Sequence, residues 1–554
     1  VAYGISPPSE FPQTTHSGSS IEPGLCFGIF VNLIKGVDMG AFSHLTRRKF
    51  IKSAAAGAGA MAASQYVPDE LMADTHKKIL PPDGRFKNIE LTYFQDNNWL
   101  HAPLWLSEQF QKDAGVSIKS RELYDGGDTV AKVLPQLLSR KPRFDWVQYP
   151  DLFFGQFAET GQLEPLDKYF ARYPGSQEYL DWVMPAYGEF YTKWDGNTYG
   201  VMLDGDIHIL HYRKNYFNDS GLQKKYSKRF QRELRVPKTW HEFRDCTQFF
   251  TEELSSQGVY GTSMVVNPPS FGWGFWMDIA ASNGVNYFDA NMNPGINSVQ
   301  AVEALDMYKN IIDFSGPGGK SMDIGQTIQR WQSGADVMSV WWIDLAEFTV
   351  QQQGIERAEQ QGADIVPGWE QPDGSINHKA ISLWCRTGSI PKNIPQDRKD
   401  AAFYYLYRMS HPSISDEIVA DEYCGSDPFG LSHYTDAAAR KYLTPNPQRG
   451  TENDLWSTNA GIFKTFDTAR SHLDGGLRNV EVGYPQFYWE GTPQYADALG
   501  RNISKAVNGL MTSQQALDQA AEEWVKIVQK LGFDSQKRQY KNFLAGAKKL
   551  GYKI

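Results

Sequence analysis

The sequence predicts an α/β protein built in more than one lobe, and three observations predict it. Strand-like and helix-like apolar spacings alternate along the chain, the rhythm of helices laid against a sheet. At 554 residues the chain is too long for one ordinary hydrophobic core. Hydrophobic residues make up 41% and charged residues 21%, the balance of a soluble globular protein. A net charge of −9 argues against nucleic acid as a partner, because no broad basic excess is available to neutralise phosphates.

Taken in order, the run from Asn88 (I-E-L-T-Y-F) reads as a strand ended by the polar Gln95-Asp96-Asn97-Asn98-Trp99. Residues 103–114 and 129–140 carry helical apolar spacing, while Val116 to Leu123 and Phe144 to Gln148 read as strands. This predicts a mostly parallel sheet, in which ligands gather at the carboxyl ends of strands. The loops 95–99, 125–128 and 149–151 fall at those ends, which makes Asn98, Trp99, Asp125, Asp128, Tyr149 and Asp151 candidate ligand-binding residues. Further helices are expected at 239–253, 297–314, 324–332, 397–410 and 513–531, with a strand over 336–343.

The N-terminal region carries an export pattern. Thr46-Arg47-Arg48-Lys49-Phe50-Ile51-Lys52 precedes an uncharged Ala/Gly run from Ser53 to Ala63, with Ala60-Met61-Ala62 as an A-x-A cleavage site. Paired arginines before Phe50 resemble a twin-arginine signal, and the apolar run is well short of the ~20 residues that span a bilayer. Residues 1–38 are expected to be an upstream extension outside the folded body, 39–62 the signal peptide and 63–84 a linker. The cysteines Cys26, Cys246, Cys385 and Cys424 form no C-x-x-C, so a zinc ribbon or thioredoxin-type site lacks its spacing. The last three can supply at most one disulfide.

Six blocks in order resemble the family 1 extracellular solute-binding proteins of ABC importers, the maltose-type binders among them. They are Leu106–Ile118 (L-S-E-Q-F-Q-K-D-A-G-V-S-I), Gly161–Phe170 (G-Q-L-E-P-L-D-K-Y-F), residues 194–214 (W-D-G-N-T-Y-G-V…Y-R-K), Val236–Phe243 (V-P-K-T-W-H-E-F), Trp331–Trp342 and Asn508–Ala521. The resemblance implies a type II periplasmic binding protein fold: two α/β lobes joined by crossing segments, with a central ligand cleft. It places 85–203 and 344–395 in an N-terminal lobe, and 204–343 and 396–554 in a C-terminal lobe. Two departures stand out. Met202 or Leu203 replaces the family's usual crossing-strand proline, and the region 415–490 is longer than in typical members.

The resemblance also implies site residues. Trp276 falls where maltose-type binders place a stacking tryptophan, with Trp273 as its companion. Asp204 and Asp206 flank Gly205 at the inferred hinge. Trp342 shares a strand face with Asp344 where the chain returns between lobes, and Asp427 lies in the turn C-G-S-D-P-F-G. Such groups suit a sugar, whose hydroxyls donate and accept and whose C–H face stacks on aromatic rings. Aromatic residues are 14% of the chain, with 16 Trp and 28 Tyr.

Other motifs fail. Gly318-Gly319-Lys320-Ser321 imitates a phosphate loop, but its first glycine position holds Phe314. Asp289-Ala-Asn291-Met-Asn293 imitates a calcium loop, but Pro294 and Gln300 hold the Gly and Glu positions. Asp206, His208 and His211 spell D-x-H-x-x-H, yet on a strand His211 points away from the other two. The expectation is a monomeric periplasmic protein with no cofactor, no metal and no catalytic residues. It would reach the periplasm through the twin-arginine translocase, bind a carbohydrate or polyol and deliver it to an ABC permease. The alternative is a periplasmic carbohydrate-active enzyme using the same cleft, because paired carboxylates are a spatial feature that sequence spacing does not display.

Overall fold

The computed structural model describes residues 86–96, 102–124, 126–173, 175–267, 269–422, 424–444 and 461–552. The expected extension, signal peptide and linker (1–38, 39–62 and 63–84) lie outside the described residues. Two mixed sheets organise the rest. The first has the order β2-β1-β3-β10-β4, from β1 (Ile89–Asp96), β2 (Val116–Tyr124), β3 (Trp146–Pro150), β4 (Val201–Asp204) and β10 (Arg386–Ser389). The second has the order β8-β5-β7-β6, from β5 (His208–Arg213), β6 (Tyr260–Thr262), β7 (Asp336–Trp342) and β8 (Gln361–Asp364). A short parallel ladder joins β9 (Ala380–Ser382) to β11 (Gly483–Pro485).

The sheets are less parallel than expected. β1 pairs parallel with β2 and β3, but β10 runs antiparallel to both β3 and β4. In the second sheet, β5 is antiparallel to β7 and β8, and only β6 pairs parallel with β7. The reason is connectivity: strands entering from the other lobe have no βαβ crossover to impose a parallel direction. β3 also starts two residues later than expected. Asp145, just before it, bonds β1 through its backbone N–H to the Thr92 carbonyl at 2.7 Å, while its carboxylate accepts from the Thr92 N–H at 2.7 Å and from Arg398 at 2.5 Å.

Strand pairing divides the expected lobe segments between the two sheets. The stretch 344–395 serves both sheets: Gln361–Asp364 pairs with β5, and only Arg386–Ser389 joins β3 and β4. Nor does all of 396–554 go with the second sheet. The helix Gln396–Ser410 covers the first, with Tyr405 edge-on to Phe110 at 4.8 Å and stacked near Trp146. Burial on nearly every side explains its apolar content: Phe403, Tyr404, Tyr405, Leu406 and Tyr407 are all fully buried.

Local signals set most helix starts. Thr239 accepts from the Glu242 N–H at 3.1 Å to begin Trp240–Leu254, and Asp323 and Thr512 close capping boxes before Ile324–Gln332 and Ser513–Leu531. Each such cap is worth about 1 kcal/mol. The imitation calcium loop is a turn, in which Asp289 accepts from the Asn291 and Asn293 N–H groups. No described helix is long and apolar enough to cross a membrane.

Candidate functional site

Two of the segments that carry the chain between the sheets touch each other. The first, Asp204-Gly205-Asp206-Ile207, links β4 to β5; the second, Leu383-Trp384-Cys385, links β9 to β10. The Cys385 thiol donates to the Asp206 carbonyl at 3.2 Å, and the Trp342 indole N–H donates to the Leu383 carbonyl at 2.7 Å. Gly205 is obligatory here. A Cβ would sit 2.4 Å from the Pro428 carbonyl oxygen and 2.7 Å from the Phe429 Cβ. The turn carrying Asp427 is thereby pressed against the first crossing.

Arg386, the first residue of β10, organises the charge. Its guanidinium pairs with Asp204, with Asp206 at 3.2 Å and with Asp96 at 3.3 Å, and all four side chains are buried. Burial opposes the arginine's charge, but the three carboxylates outweigh it and raise its affinity for the proton. Gln148 holds Asp96 in place, donating to it at 2.8 Å. Asp204 also accepts from the Asp427 N–H at 2.6 Å, and Asp427 accepts from the Ile343 N–H at 3.0 Å. Strand ends of both sheets and the 427 turn thus meet in one network.

The network holds more acid than base. Burial pushes the Asp204 carboxyl up to about 6, with Arg386 pulling it back. Burial and the Asp204 charge push Asp344 up to about 7 and Asp206 well above the carboxylate range. Burial, then Asp344 and Asp204, raise Asp427; burial, then Asp344, raises Glu347. Among the described residues no cation lies within ion-pair distance of Asp344, Asp427 or Glu347. Asp151 is raised by burial and bound on one oxygen by the Gln486 amide. The second oxygens of Asp151, Asp427 and Glu347 have no partner.

Aromatic rings line the same region. Trp384 has φ +75°, a left-handed backbone that costs a bulky residue about 1–2 kcal/mol, and its ring packs on Phe271 at 4.0 Å. Trp341 and Trp342 lie perpendicular with centroids 5.0 Å apart. The helix Pro269–Ser282 approaches closely because Gly274 leaves no side chain where Leu383 sits; a Cβ there would meet it at 2.4 Å.

The sequence-expected residues divide as follows. Asp204, Asp206, Trp342, Asp344 and Asp427 meet at the crossings, with Asp151 at the end of β3. Tyr149 is buried one residue earlier in β3, its hydroxyl bonded to Ser389 at 2.8 Å. Trp273 and Trp276 are fully buried on Pro269–Ser282, Trp273 stacked on Phe487 at 4.3 Å, and both indole N–H groups lack partners. Asp128 is exposed before the helix Thr129–Leu137. Asn98, Trp99 and Asp125 lie outside the described residues. Sequence reasoning missed Arg386, Trp384 and Glu347, and passed over Asp96 although it ends β1. Of these only Asp96 carried a signal, its place at a strand's carboxyl end.

The D-x-H-x-x-H residues take separate partners. Asp206 pairs with Arg386, and His208 with Asp278 at 2.6 Å. His211 bonds the Trp342 carbonyl at 2.8 Å and Gln361 at 2.7 Å, its pKa lowered by burial to about 3. Among the described residues no three His, Cys, Asp or Glu converge to hold a metal. Cys246, Cys385 and Cys424 are all buried, and Cys246 and Cys385 are unbridged.

Two α/β lobes with polar and aromatic groups gathered where the chain crosses between them define a type II periplasmic-binding-protein fold. Residues 102–399 match the bacterial extracellular solute-binding protein family, and the chain belongs to it. Solved structures agree on the fold. A ribitol-bound ABC transporter solute-binding protein from Agrobacterium radiobacter is 20% identical, with TM-score 0.61, over 80% of this chain and 100% of that one. A maltose-bound MalE3 from T. maritima is 16% identical, with TM-score 0.61, over 79% and 99%. A D-mannitol-bound ABC transporter solute-binding protein from Agrobacterium vitis is 17% identical, with TM-score 0.59, over 80% and 99%. No curated protein matches the chain in sequence.

Proposed function

We propose that this solute-binding protein captures a carbohydrate or polyol between its lobes and delivers it to an ABC permease. The observation that carries the reading is the buried network at the crossings, where unpartnered carboxylate oxygens lie among tryptophan rings. A buried acceptor without a partner costs about 1–3 kcal/mol, and a polyhydroxylated ligand brings the missing donors. Asp204, Asp206, Asp344, Asp427 and Asp151 would bind hydroxyls, with Arg386 and Asp96 holding them in place, and Trp342 and Trp384 would cover the ring face. Trp273, Trp276 and Tyr149 would back this wall, and Asn98, Trp99, Asp125 and Asp128 are proposed as further ligand-binding groups.

The ribitol, mannitol and maltose carried by the similar structures support that ligand class. Family membership supports export, and the paired arginines Arg47 and Arg48 support the twin-arginine route; the receptor we propose works in the periplasm as a monomer. Lobe closure about the two crossings would trap the ligand.

Thermal unfolding against ribitol, D-mannitol, D-tagatose, maltose and larger oligosaccharides tests the reading. A ligand at a hundred times its Kd adds about 2.7 kcal/mol, a readily visible rise in Tm. A shift confined to one chemical group, with that compound recovered unchanged, is the expected result. Conversion of the compound would establish an enzyme instead, and a flat panel would sink the carbohydrate assignment.

A further inference from the structure

The network at the crossings has a sign as well as a polarity. Arg386 already faces three carboxylates, Asp96, Asp204 and Asp206. Beyond them stand Asp427, Asp344 and Glu347, for which no cation lies within ion-pair distance among the described residues. These are not scattered acids. The Asp427 backbone N–H binds Asp204, its carboxylate binds the Ile343 N–H beside Asp344, and Glu347 lies one turn further along the helix Leu345–Gln353.

A second observation points to a ligand. One oxygen of Asp427 and one of Glu347 have no partner, although those residues are only 1% and 4% exposed. A neutral sugar hydroxyl supplies a donor but no counter-charge, and burial together with their acidic neighbours makes Asp344, Asp427 and Glu347 hold their protons until one is supplied. A metal ion would compensate the charge, but no three described ligands converge at metal-binding distances. An ammonium group offers both: three N–H donors, and the positive charge that lets these acids ionise. Trp341 and Trp342, perpendicular to each other and three and two residues before Asp344, supply aromatic rings of the kind an organic cation stacks on.

We propose that the preferred ligand carries a protonated amine on its polyhydroxylated skeleton, an amino sugar or amino polyol, with the ammonium seated between Asp427, Asp344 and Glu347. This rests on the solute-binding reading above. Within it, the carboxylates around Arg386 take hydroxyls, and the unpaired trio takes the charge.

Calorimetric titration with matched pairs tests the assignment: D-glucitol against 1-amino-1-deoxy-D-glucitol, D-glucose against D-glucosamine, and D-galactose against D-galactosamine. N-Acetyl-D-glucosamine controls for size without charge. At least one aminated member should bind ten-fold or more tighter than its neutral partner and than the acetylated control, and the advantage should shrink as salt is raised. Asp427→Asn keeps the carbonyl that accepts from Ile343 and removes the charge; Asp344→Asn does the same at the neighbouring position. Each should cut the ratio of aminated to neutral affinity about ten-fold, whatever it costs the neutral partner.

Equal binding of both members, or tighter binding of the neutral one, overturns the ammonium assignment and leaves the carbohydrate reading standing. An amine preference that survives both substitutions also overturns it. Failure of every neutral and aminated compound removes both readings together.

Discussion

Two buried charge clusters in this molecule are built to opposite rules. Around Asp336, at the start of β7, the single acid is fully partnered: Arg330 donates to it at 2.6 Å, Ser263 at 2.5 Å, and Arg213 donates to its backbone carbonyl at 2.9 Å. The two arginines also stack on Tyr260 and Trp331. Around Arg386 one guanidinium serves three carboxylates, and three further acids remain short of donors or counter-charge. Both clusters sit at strand ends of the same fold. A satisfied cluster rigidifies a lobe, whereas an unsatisfied one at a lobe crossing is a binding site awaiting a partner.

The largest expected effect is at Arg386. Arg386→Met should destabilise the protein by about 3–5 kcal/mol, because it leaves Asp96, Asp204 and Asp206 buried without a counter-charge. It should also abolish ligand binding. Urea unfolding with a ligand titration on the same preparation reads both. Asp336→Ala should cost about 3 kcal/mol by stranding Arg330, yet leave affinity within two-fold. If binding collapses there too, the two clusters are not functionally distinct.

A smaller loss is expected for Gly205→Ala. Its Cβ meets backbone rather than flexible side chains, so relief requires moving the 427 turn, at about 1–3 kcal/mol. Weaker binding should accompany the lower Tm, because Asp427 rides on that turn.

The smallest effect is a pH slope. A folded carboxyl raised to about 7, as at Asp344, keeps a proton that the unfolded chain gives up above pH ~4. The Asp344 contribution to stability therefore falls as pH rises through that window and levels off above it. Three buried histidines, His211, His433 and His472, are lowered to about 3 and act in the opposite direction, but only below pH ~6.5. Between pH 6.5 and 8 the unliganded protein should lose stability, by denaturant midpoint, and Asp344→Asn should lessen the slope up to pH ~7, while Asp206, Asp427 and Glu347 maintain it above. A rise over the same interval would contradict the acid excess.

Much of the scaffold was legible because its signals are local. Thr239 before Trp240, the Asp323 and Thr512 capping boxes and the alternation in β1 each act within a few residues, so spacing alone located those elements within a residue or two. Sheet direction and lobe membership were less legible. Gln361–Asp364 joins the second sheet only because β5 and β7 leave it an edge, which residues 344–395 do not encode by themselves.

Site legibility followed the same rule. Asp204, Asp206 and Asp427 stood out through short motifs, and they meet at the crossings. Arg386 and Glu347 did not, since nothing near either in sequence distinguishes an arginine starting a strand or a glutamate within a helix. The sequence by itself determined the element types, the family blocks and the supply of acids and tryptophans. Only tertiary structure decided that one arginine would be shared by strand ends far apart in sequence, leaving other carboxylates short of charge. Helix and strand formation depend on neighbours along the chain. Charge balance in a buried cleft depends on neighbours in space, because burial and Coulomb energy follow distance through the folded protein rather than sequence separation.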